Sequence, residues 1–406
     1  MIRLTSLLLF ISIIARAQDY PHEIPSYPFI KYAENEIQFY GDSSGWEDLF
    51  ARMDTVIFDG VGQISMLHMG GSHVQAGVFS SQMRRHLQTI QPGLNSFRGF
   101  LFPFRVARTN NPRNYSVHYT GSWESCRNVE RSKACTLGLS GMSVTTRSPG
   151  ASISINFDPD FIDQPFSRLR IYHPVSSDQY SLASNGDYKV VQDSLGGSTV
   201  LEFTQLQDSL ILSFEKTSED QTEFTLYGLQ FENDEAGFAY HAVGVNGADV
   251  PAYLRCDLLG QHLGSVNPDV VIFGIGINDA NTTRFNAGFY RDNYDKLIAK
   301  ILAVDPETQF IFITNNDSYY RRRYPNENAR EVREVMIQLA EKYNGAVWDL
   351  FNIMGGLDSI SQWQGYGLAQ SDKIHFTRGG YELVGDLFYS AFVKAYEKHL
   401  KSTFTN

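Results

Sequence analysis

The sequence predicts an α/β fold, with a parallel sheet covered on both faces, that is interrupted by an inserted antiparallel β-sandwich of jelly-roll type. Towards both ends of the chain, near-continuous apolar strands alternate with amphipathic helical segments, which is typical of a parallel sheet buried between helices. In the middle, apolar and polar residues alternate over short segments that turn residues separate. That alternation is typical of antiparallel sheets that pack face to face.

The first βα unit follows a helix that the pattern places near residues 46–58. Its strand covers residues 64–69 and runs into a glycine pair, and a helix is predicted over residues 73–90. After residue 237 the βα alternation resumes. The predicted strands there cover residues 239–245, 270–275, 310–314 and 346–350, and the predicted helices cover residues 251–264, 289–303 and 329–343.

The middle segment divides the chain into two predicted domains. Ile153, Ile155 and Phe157 alternate with polar residues, and the same pattern recurs between residues 210 and 214. We therefore expect one discontinuous domain and one insert. The predicted bounds are residues 18–113 and 235–406 for the α/β domain and residues 114–234 for the inserted β-sandwich.

Charge and composition argue against nucleic-acid binding and against a zinc site. The formal charge of −11 and the pI near 5.4 argue against a nucleic-acid-binding protein, which usually presents a basic face. The one basic run, Arg321-Arg322-Arg323, fits either a solvated loop or a basic edge for an anionic polymer. No Cys and His pattern has the spacing of a zinc site, so no metal is expected.

The N-terminal residues predict export. Residues 1–17 carry Arg3, an apolar run over 7–14 and Ala15-Arg16-Ala17 before Gln18, which is the pattern of a cleavable signal peptide. The mature protein is expected in the periplasm or outside the cell, with no transmembrane segment after cleavage. In that compartment Cys126 and Cys135 could form a disulfide, while Cys256 is expected to be single and inside a helix.

Candidate functional residues follow the predicted strands. In an open parallel sheet, ligands bind beyond the carboxyl ends of the strands. Ser72 follows the first strand, and two later strands run into glycine turns that contain Gly247 and Asn278. Asp372 and His375 precede the final helix. These residues supply a hydroxyl, an amide, flexible turns and an Asp/His pair.

Ser72 alone has two interpretations. It could simply cap the helix that follows, since serine is a preferred N-cap residue. It could also be a nucleophile, because a strand-to-helix turn exposes its side chain and leaves backbone N–H groups pointing at the atom under attack. Acyl transfer needs a nucleophile, a base, a carboxylate that orients the base, and donors for the oxyanion. The chain offers a candidate for each part.

Together these segments resemble the sequence blocks of the SGNH (GDSL-type) hydrolases. The resemblance implies a flavodoxin-like three-layer α/β/α domain in which Ser72 attacks an ester carbonyl and His375, oriented by Asp372, acts as general base. It also implies an oxyanion hole made by the Ser72 and Gly247 N–H groups and the Asn278 amide, and no cofactor. The matching residues, in family order, are Ser72, Gly247, Asn278, Asp372 and His375.

The first block departs from the family pattern. The family's usual Gly-Asp-Ser is replaced by Gly70-Gly71-Ser72, so the aspartate that could brace the turn is missing. A true Gly-Asp-Ser does occur, at residues 41–43. No long apolar strand precedes it, and we interpret it as a decoy.

The insert makes the chain similar to one group of enzymes within the SGNH family. Ser72-His73, a sandwich insert and a later Gly-Val-Asn-Gly-Ala are similar to the bilobed esterases that remove O-acetyl groups from peptidoglycan or other polysaccharides, in which the insert resembles a carbohydrate-binding module. An acetylated carbohydrate is therefore the expected partner. Trp123 and Trp363 are candidate sugar platforms, with loop packing as the alternative, and His73 has either a structural role or a substrate contact. A lipase or thioesterase of the same family and a non-catalytic glycan-binding protein stay open as alternatives.

Overall fold

The structure is a computed structural model that describes residues 23–95, 98–158, 165–193 and 197–404. The predicted signal peptide, residues 1–17, lies outside the described residues. The strands, numbered in chain order, are β1 (Ile37–Phe39), β2 (Gln63–Gly70), β3 (Gly99–Leu101), β4 (Tyr115–Tyr119), β5 (Trp123–Arg127), β6 (Met142–Thr146), β7 (Ala151–Phe157), β8 (Phe166–Tyr172), β9 (Ser181–Ser184), β10 (Tyr188–Gln192), β11 (Ser198–Gln207), β12 (Ser209–Glu215), β13 (Phe224–Leu226), β14 (Gly228–Glu232), β15 (Gly237–Gly244), β16 (Val270–Gly274), β17 (Gln309–Ile313), β18 (Tyr319–Tyr320), β19 (Tyr324–Pro325) and β20 (Ala346–Trp348).

Most helices alternate with the strands of the α/β part. The α-helices are α1 (Ser44–Asp54), α2 (Ser72–Gln75), α3 (Val78–Gln88), α4 (Val250–Leu254), α5 (Leu259–Val266), α6 (Ile277–Ala280), α7 (Ala287–Leu302), α8 (Asn328–Lys342), α9 (Leu350–Ile353), α10 (Ser359–Gly365) and α11 (Arg378–Phe404). A 3₁₀ turn at Tyr32–Glu34 precedes β1, and a π-helical turn at Thr55–Asp59 extends α1. Within the part of the chain that the structure describes, no helix is long and apolar enough to cross a membrane.

A six-stranded sheet forms the centre of the molecule, in the order β1-β20-β17-β16-β2-β15. Its strands are parallel except β1, which pairs antiparallel with β20 at the edge and which the sequence did not predict. Successive residues of β2 point to opposite faces, as a strand requires. Leu67 and Met69 join the core with α7 and α8, whereas Ile64 and Met66 join the core with α1, α3 and α11. The predicted three-layer α/β/α fold is confirmed.

Antiparallel sheets make up the middle of the chain. They are ordered β10-β11-β8-β14-β3, β4-β7-β12-β9 and β13-β6-β5. The predicted alternation is realised between β7 and β12, where Ile153 pairs with Leu212 and Ile155 with Leu210, and all four side chains are buried. Strand β3 precedes residue 114 yet pairs with β14, so the antiparallel region recruits a strand from outside the predicted insert bounds.

Two predicted helices are broken in the structure. The helix predicted over residues 73–90 is divided into α2 and α3 at Gly77, whose φ is +75° and whose Cβ position lies 2.6 Å from Pro112. The helix predicted over residues 251–264 is divided into α4 and α5. There the Leu258 N–H donates to the Leu137 carbonyl of the β region instead of continuing the helix.

Two of the three cysteines are paired and the third is free. Cys126 and Cys135 are joined by a disulfide. Cys256 lies in the connection between α4 and α5, not inside a helix as predicted, and it is buried and free. Burial raises the pKa of its thiol to about 12, so it is an apolar packing residue and not a reactive thiolate.

Candidate active site

Three glycines lie side by side at the carboxyl edge of the sheet. Gly70 at the end of β2 pairs with Gly244 of β15 on one side and with Gly274 of β16 on the other. A side chain at Gly70 would collide with Val74 of α2, and one at Gly244 would collide with the α2 backbone. The glycines therefore let α2 sit directly on the sheet edge, and Ser72 at its first residue faces outward beyond the strands.

Ser72, His375 and Asp372 form one hydrogen-bonded chain. The Ser72 Oγ lies 2.8 Å from His375 Nε2, and His375 Nδ1 lies 2.8 Å from Asp372 Oδ2. The serine comes from the β2–α2 turn, whereas the other two residues come from the loop before α11, about 300 positions later in the sequence. The fold thus brings together a hydroxyl, an imidazole and a carboxylate in the order that nucleophilic catalysis requires.

The charge on Asp372 fixes the tautomer of His375. Burial disfavours the carboxylate, but hydrogen bonds from the His375 side chain and from the His375 and Ile374 backbone N–H groups outweigh it and lower the pKa of Asp372. An ionised carboxylate can only accept, so His375 Nδ1 carries the proton. Nε2 is then free to accept the proton of the Ser72 hydroxyl.

The predicted oxyanion residues border the same turn. The Asn278 Nδ2 donates to the Ala248 carbonyl at 2.9 Å, which fixes the amide and leaves its second N–H available. Gly247 has a φ of +83°, a left-handed conformation that favours glycine, and among the described residues its N–H donates to no backbone carbonyl. Gly71 is buried, and a Cβ there would lie 3.2 Å from Asn278 Nδ2.

A cleft of about 400 Å³ opens at this point. Ser72, Gly247, Asn278 and His375 line it, and Asp372 lies behind His375. Its other polar lining residues include Asn110, Asn246, Asn281, Ser318, Tyr319, Asn326 and Gln370. Within the described residues, no group of three or more His, Cys, Asp and Glu side chains could hold a metal ion.

One family model matches the later part of the chain. Residues 217–383 match the GDSL-like Lipase/Acylhydrolase family. The matched range contains Gly247, Asn278, Asp372 and His375, whereas Ser72 precedes it. This match confirms the resemblance to the SGNH (GDSL-type) hydrolases. A comparison with curated proteins found no match.

One solved structure has the same fold over most of the chain, and others align over shorter parts. The structure resembles one of a peptidoglycan O-acetylesterase with a TM-score of 0.73 and 21% identity, over 89% of this chain and 99% of that chain. A putative GDSL-like lipase from Parabacteroides merdae aligns at 16% identity with a TM-score of 0.32, over 39% of this chain and 74% of that one. An acetyl xylan esterase aligns at 21% identity with a TM-score of 0.30, over 38% and 81%.

A polar network beside Ser72 was not predicted from the sequence. Gln75, three residues after Ser72, accepts from the Asn246 N–H at 2.7 Å, next to Gly247. Its Nε2 donates to the Asn110 carbonyl at 2.9 Å and to Thr109 Oγ1 at 3.0 Å. Gln75 therefore ties α2 to the loop that carries Gly247. The position of Gln75 one helical turn after Ser72 was the available signal, but its partners are distant in sequence.

His73 does not line the cleft. Its ring stacks on His375, and its Nδ1 lies 2.9 Å from the Tyr381 hydroxyl. Burial lowers the pKa of His73 to about 3, and the neighbouring His375 adds to that effect, so the imidazole is neutral. The His73 Nε2 is buried without a partner among the described residues. The structure therefore favours the structural interpretation of His73 over substrate contact.

The interpretation of Trp123 and Trp363 as sugar platforms is wrong, and the packing alternative is correct. Trp123 is 5% exposed, donates to the Thr120 carbonyl at 2.8 Å and packs edge-on against Phe214. Trp363 is fully buried, and its indole N–H donates to the Met354 carbonyl at 3.0 Å. Each indole has found a partner for its N–H inside the protein, so neither ring face is available to a sugar.

The second Gly-Asp-Ser segment lies at the opposite edge of the sheet. Ser43 precedes α1, and the Asp42 N–H donates to the side chain of Asn344 at 3.0 Å. Asn344 precedes β20, so this segment lies near the amino ends of the parallel strands. The distant location agrees with its interpretation as a decoy.

Proposed function

We propose that the protein is an exported serine esterase that removes O-acetyl groups from a carbohydrate polymer through an acyl-enzyme on Ser72. The observation that carries this proposal is the hydrogen-bonded chain from Ser72 through His375 to Asp372, whose Ser72 end opens into a cleft. The match to the GDSL-like Lipase/Acylhydrolase family supports ester hydrolysis. Peptidoglycan and acetylated plant-type polysaccharides are the substrate classes we propose.

The geometry suits each chemical step. The Ser72 Oγ attacks the acetyl carbonyl while His375 Nε2 takes its proton, and Asp372 stabilises the imidazolium that forms. The oxyanion accepts hydrogen bonds from the Ser72 and Gly247 N–H groups and from Asn278 Nδ2. His375 then gives this proton to the departing sugar oxygen, which leaves as the free hydroxyl. In the second half of the reaction His375 takes a proton from a water molecule that attacks the acetyl-Ser72 ester, and it returns that proton to Ser72 Oγ as acetate leaves.

The cleft lining favours a carbohydrate over a lipid. Five asparagines line it, and each amide offers both donors and acceptors to sugar hydroxyls. A long acyl chain would instead need an extended apolar wall. The asparagines that line the cleft are Asn110, Asn246, Asn278, Asn281 and Asn326.

The β region adjoins the cleft and is proposed to help hold the polymer. Val129, inside the disulfide-closed loop, lies 4.0 Å from the Cβ position of Gly247. Arg131 of the same loop forms an ion pair with Asp249. Arg255 also donates to two carbonyls of this loop. The disulfide loop is thus fixed beside the oxyanion residues.

The test is acetate release from O-acetylated peptidoglycan and from acetylated xylan, beside hydrolysis of 4-nitrophenyl esters of increasing acyl length. The proposal predicts acetate release from at least one polymer, and rates on the small esters that fall steeply beyond short acyl chains. Asn278→Ala should lower kcat by about a hundredfold to a thousandfold. Efficient hydrolysis of long-chain esters without acetate release from either polymer would overturn the substrate assignment.

A further inference from the structure

A short basic hairpin rises from the wall of the cleft. Strands β18 and β19 pair Tyr319 with Pro325 and Tyr320 with Tyr324. Their loop is Arg321-Arg322-Arg323, which we call the arginine loop. The residues at the base of the hairpin, Ser318, Tyr319 and Asn326, line the same cavity as Ser72 and His375. The arginine loop therefore projects from the rim of the candidate active site.

The hairpin is anchored to the catalytic loop. The Tyr319 N–H donates to the Lys373 carbonyl at 2.9 Å, and Lys373 lies between Asp372 and His375 in the chain. The Lys373 ammonium lies 4.2 Å from the centre of the Tyr319 ring. The Tyr319 hydroxyl donates to Asp358 Oδ1 at 2.6 Å. The loop is thus held at a fixed place relative to His375.

The arginine loop concentrates positive charge on an acidic protein. All three arginines are exposed, and within the described residues no carboxylate forms an ion pair with any of them. The Arg321 guanidinium lies 5.2 Å from the centre of the Tyr320 ring. Elsewhere, arginines such as Arg131 and Arg333 pair with carboxylates. Three uncompensated guanidinium groups at one rim, on a chain of net charge −11, suit an anionic ligand.

The backbone conformation of the arginine loop is unfavourable for arginine residues. Arg321 and Arg322 have φ values of +51° and +60°, and the Arg323 N–H donates to the Tyr320 carbonyl at 3.1 Å. This is a turn with two left-handed central residues, for which hairpins prefer Asn-Gly. Side chains with a Cβ are strained there. Local folding therefore does not explain the arginines, and strained residues of this kind concentrate at binding sites.

We propose that the arginine loop binds carboxylate groups of an acidic acetylated glycan and so holds the polymer across the cleft. This proposal rests on the proposed function. Guanidinium groups bind carboxylates through two parallel N–H···O bonds, which an exposed loop can present to a flexible polymer. The carboxylates could come from uronic acid units of a polysaccharide or from the peptide stems of peptidoglycan. The shared chemistry is a carboxylate at a short distance from the acetylated sugar.

The test variant is R321N/R322G/R323Q, which gives the turn its preferred residues while removing the charge. Its control, K189Q/K216Q/K398Q, removes three positive charges on surfaces outside the cleft. Two probes are titrated into each protein on a Ser72→Ala background, at low and high salt. They are oligogalacturonate and a muropeptide with free stem carboxylates. Acetate release from O-acetylated polygalacturonate, O-acetylated peptidoglycan and neutral acetyl xylan is measured with Ser72 intact.

We expect the arginine variant to bind at least one probe about tenfold more weakly, with a flatter salt dependence, since each exposed pair contributes modestly. Its KM should rise on the matching acidic polymer but not on acetyl xylan, and its rate on 4-nitrophenyl acetate should be unchanged. Its Tm should rise slightly, because the strained residues are gone. The probe whose binding is weakened shows whether the arginine loop binds uronic acid units or the peptide stems of peptidoglycan.

Unchanged affinity for both probes, or an equal loss in the lysine control, would overturn the proposal. Failure of the proposed function is a separate result. If the wild type releases no acetate from any polymer while probe binding still depends on the arginines, the carboxylate-binding role of the arginine loop is supported and the proposed esterase function is contradicted. If wild type and variant release acetate equally from acidic polymers, the proposed esterase function is supported and the carboxylate-binding role of the arginine loop is contradicted.

Discussion

His73 stacks on the back of His375, with ring centroids 5.1 Å apart and ring planes inclined by 26°. His73 directly follows Ser72 in the chain, so the residue next to the candidate nucleophile supports the candidate base. Because burial and His375 lower the pKa of His73 to about 3, the supporting ring is neutral. It can therefore position His375 without competing for its proton.

The first prediction concerns this stacking. His73→Ala should lower kcat roughly tenfold with little change in KM, because His375 loses the surface that orients it. His73→Phe keeps a flat ring and should recover most of the activity. Steady-state kinetics on 4-nitrophenyl acetate, with thermal unfolding as a check on folding, measures the effect. Equal losses in both variants would show that stacking is not the reason.

The second prediction concerns Gln75. Gln75→Leu removes the acceptor of the Asn246 N–H, so the loop that carries Gly247 should shift and kcat should fall by one to two orders of magnitude. Gln75→Glu keeps that acceptor but loses the donors to Asn110 and Thr109, so its kcat should be intermediate. The measurement is kcat and KM on a small acetyl ester. A normal kcat in a folded Gln75→Leu protein would contradict the role.

Much of the site was predictable because parallel strands end at one edge of a sheet. The turns after β2, β15 and β16 carry Ser72, Gly247 and Asn278, and apolar periodicity located those strands to within two residues. The resemblance to the SGNH hydrolases supplied the roles of Asp372 and His375 in the segment before the final helix. Local sequence was sufficient wherever a residue's role depends on its own strand or loop.

What could not be predicted depends on contacts between distant segments. Gly77, packed against Pro112, divides the helix predicted over residues 73–90. The Leu258 N–H donates to the Leu137 carbonyl and so interrupts the helix predicted over residues 251–264. Trp123 and Trp363 were candidate sugar platforms, with packing as the alternative, and neighbouring aromatic side chains help to bury both. Edge strand β1 is three residues long and has no periodicity to detect. In each case tertiary packing, not local propensity, decides the outcome.

The third prediction explains the glycine that replaces the family's aspartate. A Cβ at Gly71 would lie 3.2 Å from Asn278 Nδ2, so a larger residue presses on the amide proposed to bind the oxyanion. Gly71→Asp should lower kcat by about tenfold or more, since its carboxylate would also accept from that amide. Gly71→Ala, which adds volume without charge, should be less impaired. An increase of kcat in Gly71→Asp would contradict this explanation.

The fourth prediction concerns stability and pH. Burial, assisted by the charge of Asp249, raises the pKa of Asp279 to about 7. Between the ordinary carboxyl range and pH 7 the folded protein holds a proton that the unfolded chain has released, so this group's contribution to stability falls as pH rises. Asp279→Asn should therefore stabilise the protein at pH 8 more than at pH 5.

Urea unfolding at both pH values measures the difference, with the exposed Asp292→Asn as the matched control. The Asp279→Asn variant keeps a side-chain oxygen that can accept from the Val250 N–H, as Asp279 does. An equal effect of Asp279→Asn at pH 5 and pH 8, or the same pH trend in the control, would show that Asp279 does not titrate in this window.

Labelling of the intact protein by a fluorophosphonate probe, with the modified residue located by mass spectrometry, tests whether Ser72 is the nucleophile. An activated serine reacts with such a probe, whereas a helix-capping serine does not. We expect one label, on Ser72, that is lost in Ser72→Ala and strongly reduced in His375→Ala. A folded wild type that stays unlabelled, or a label that persists in Ser72→Ala, would contradict the claim that Ser72 is the nucleophile.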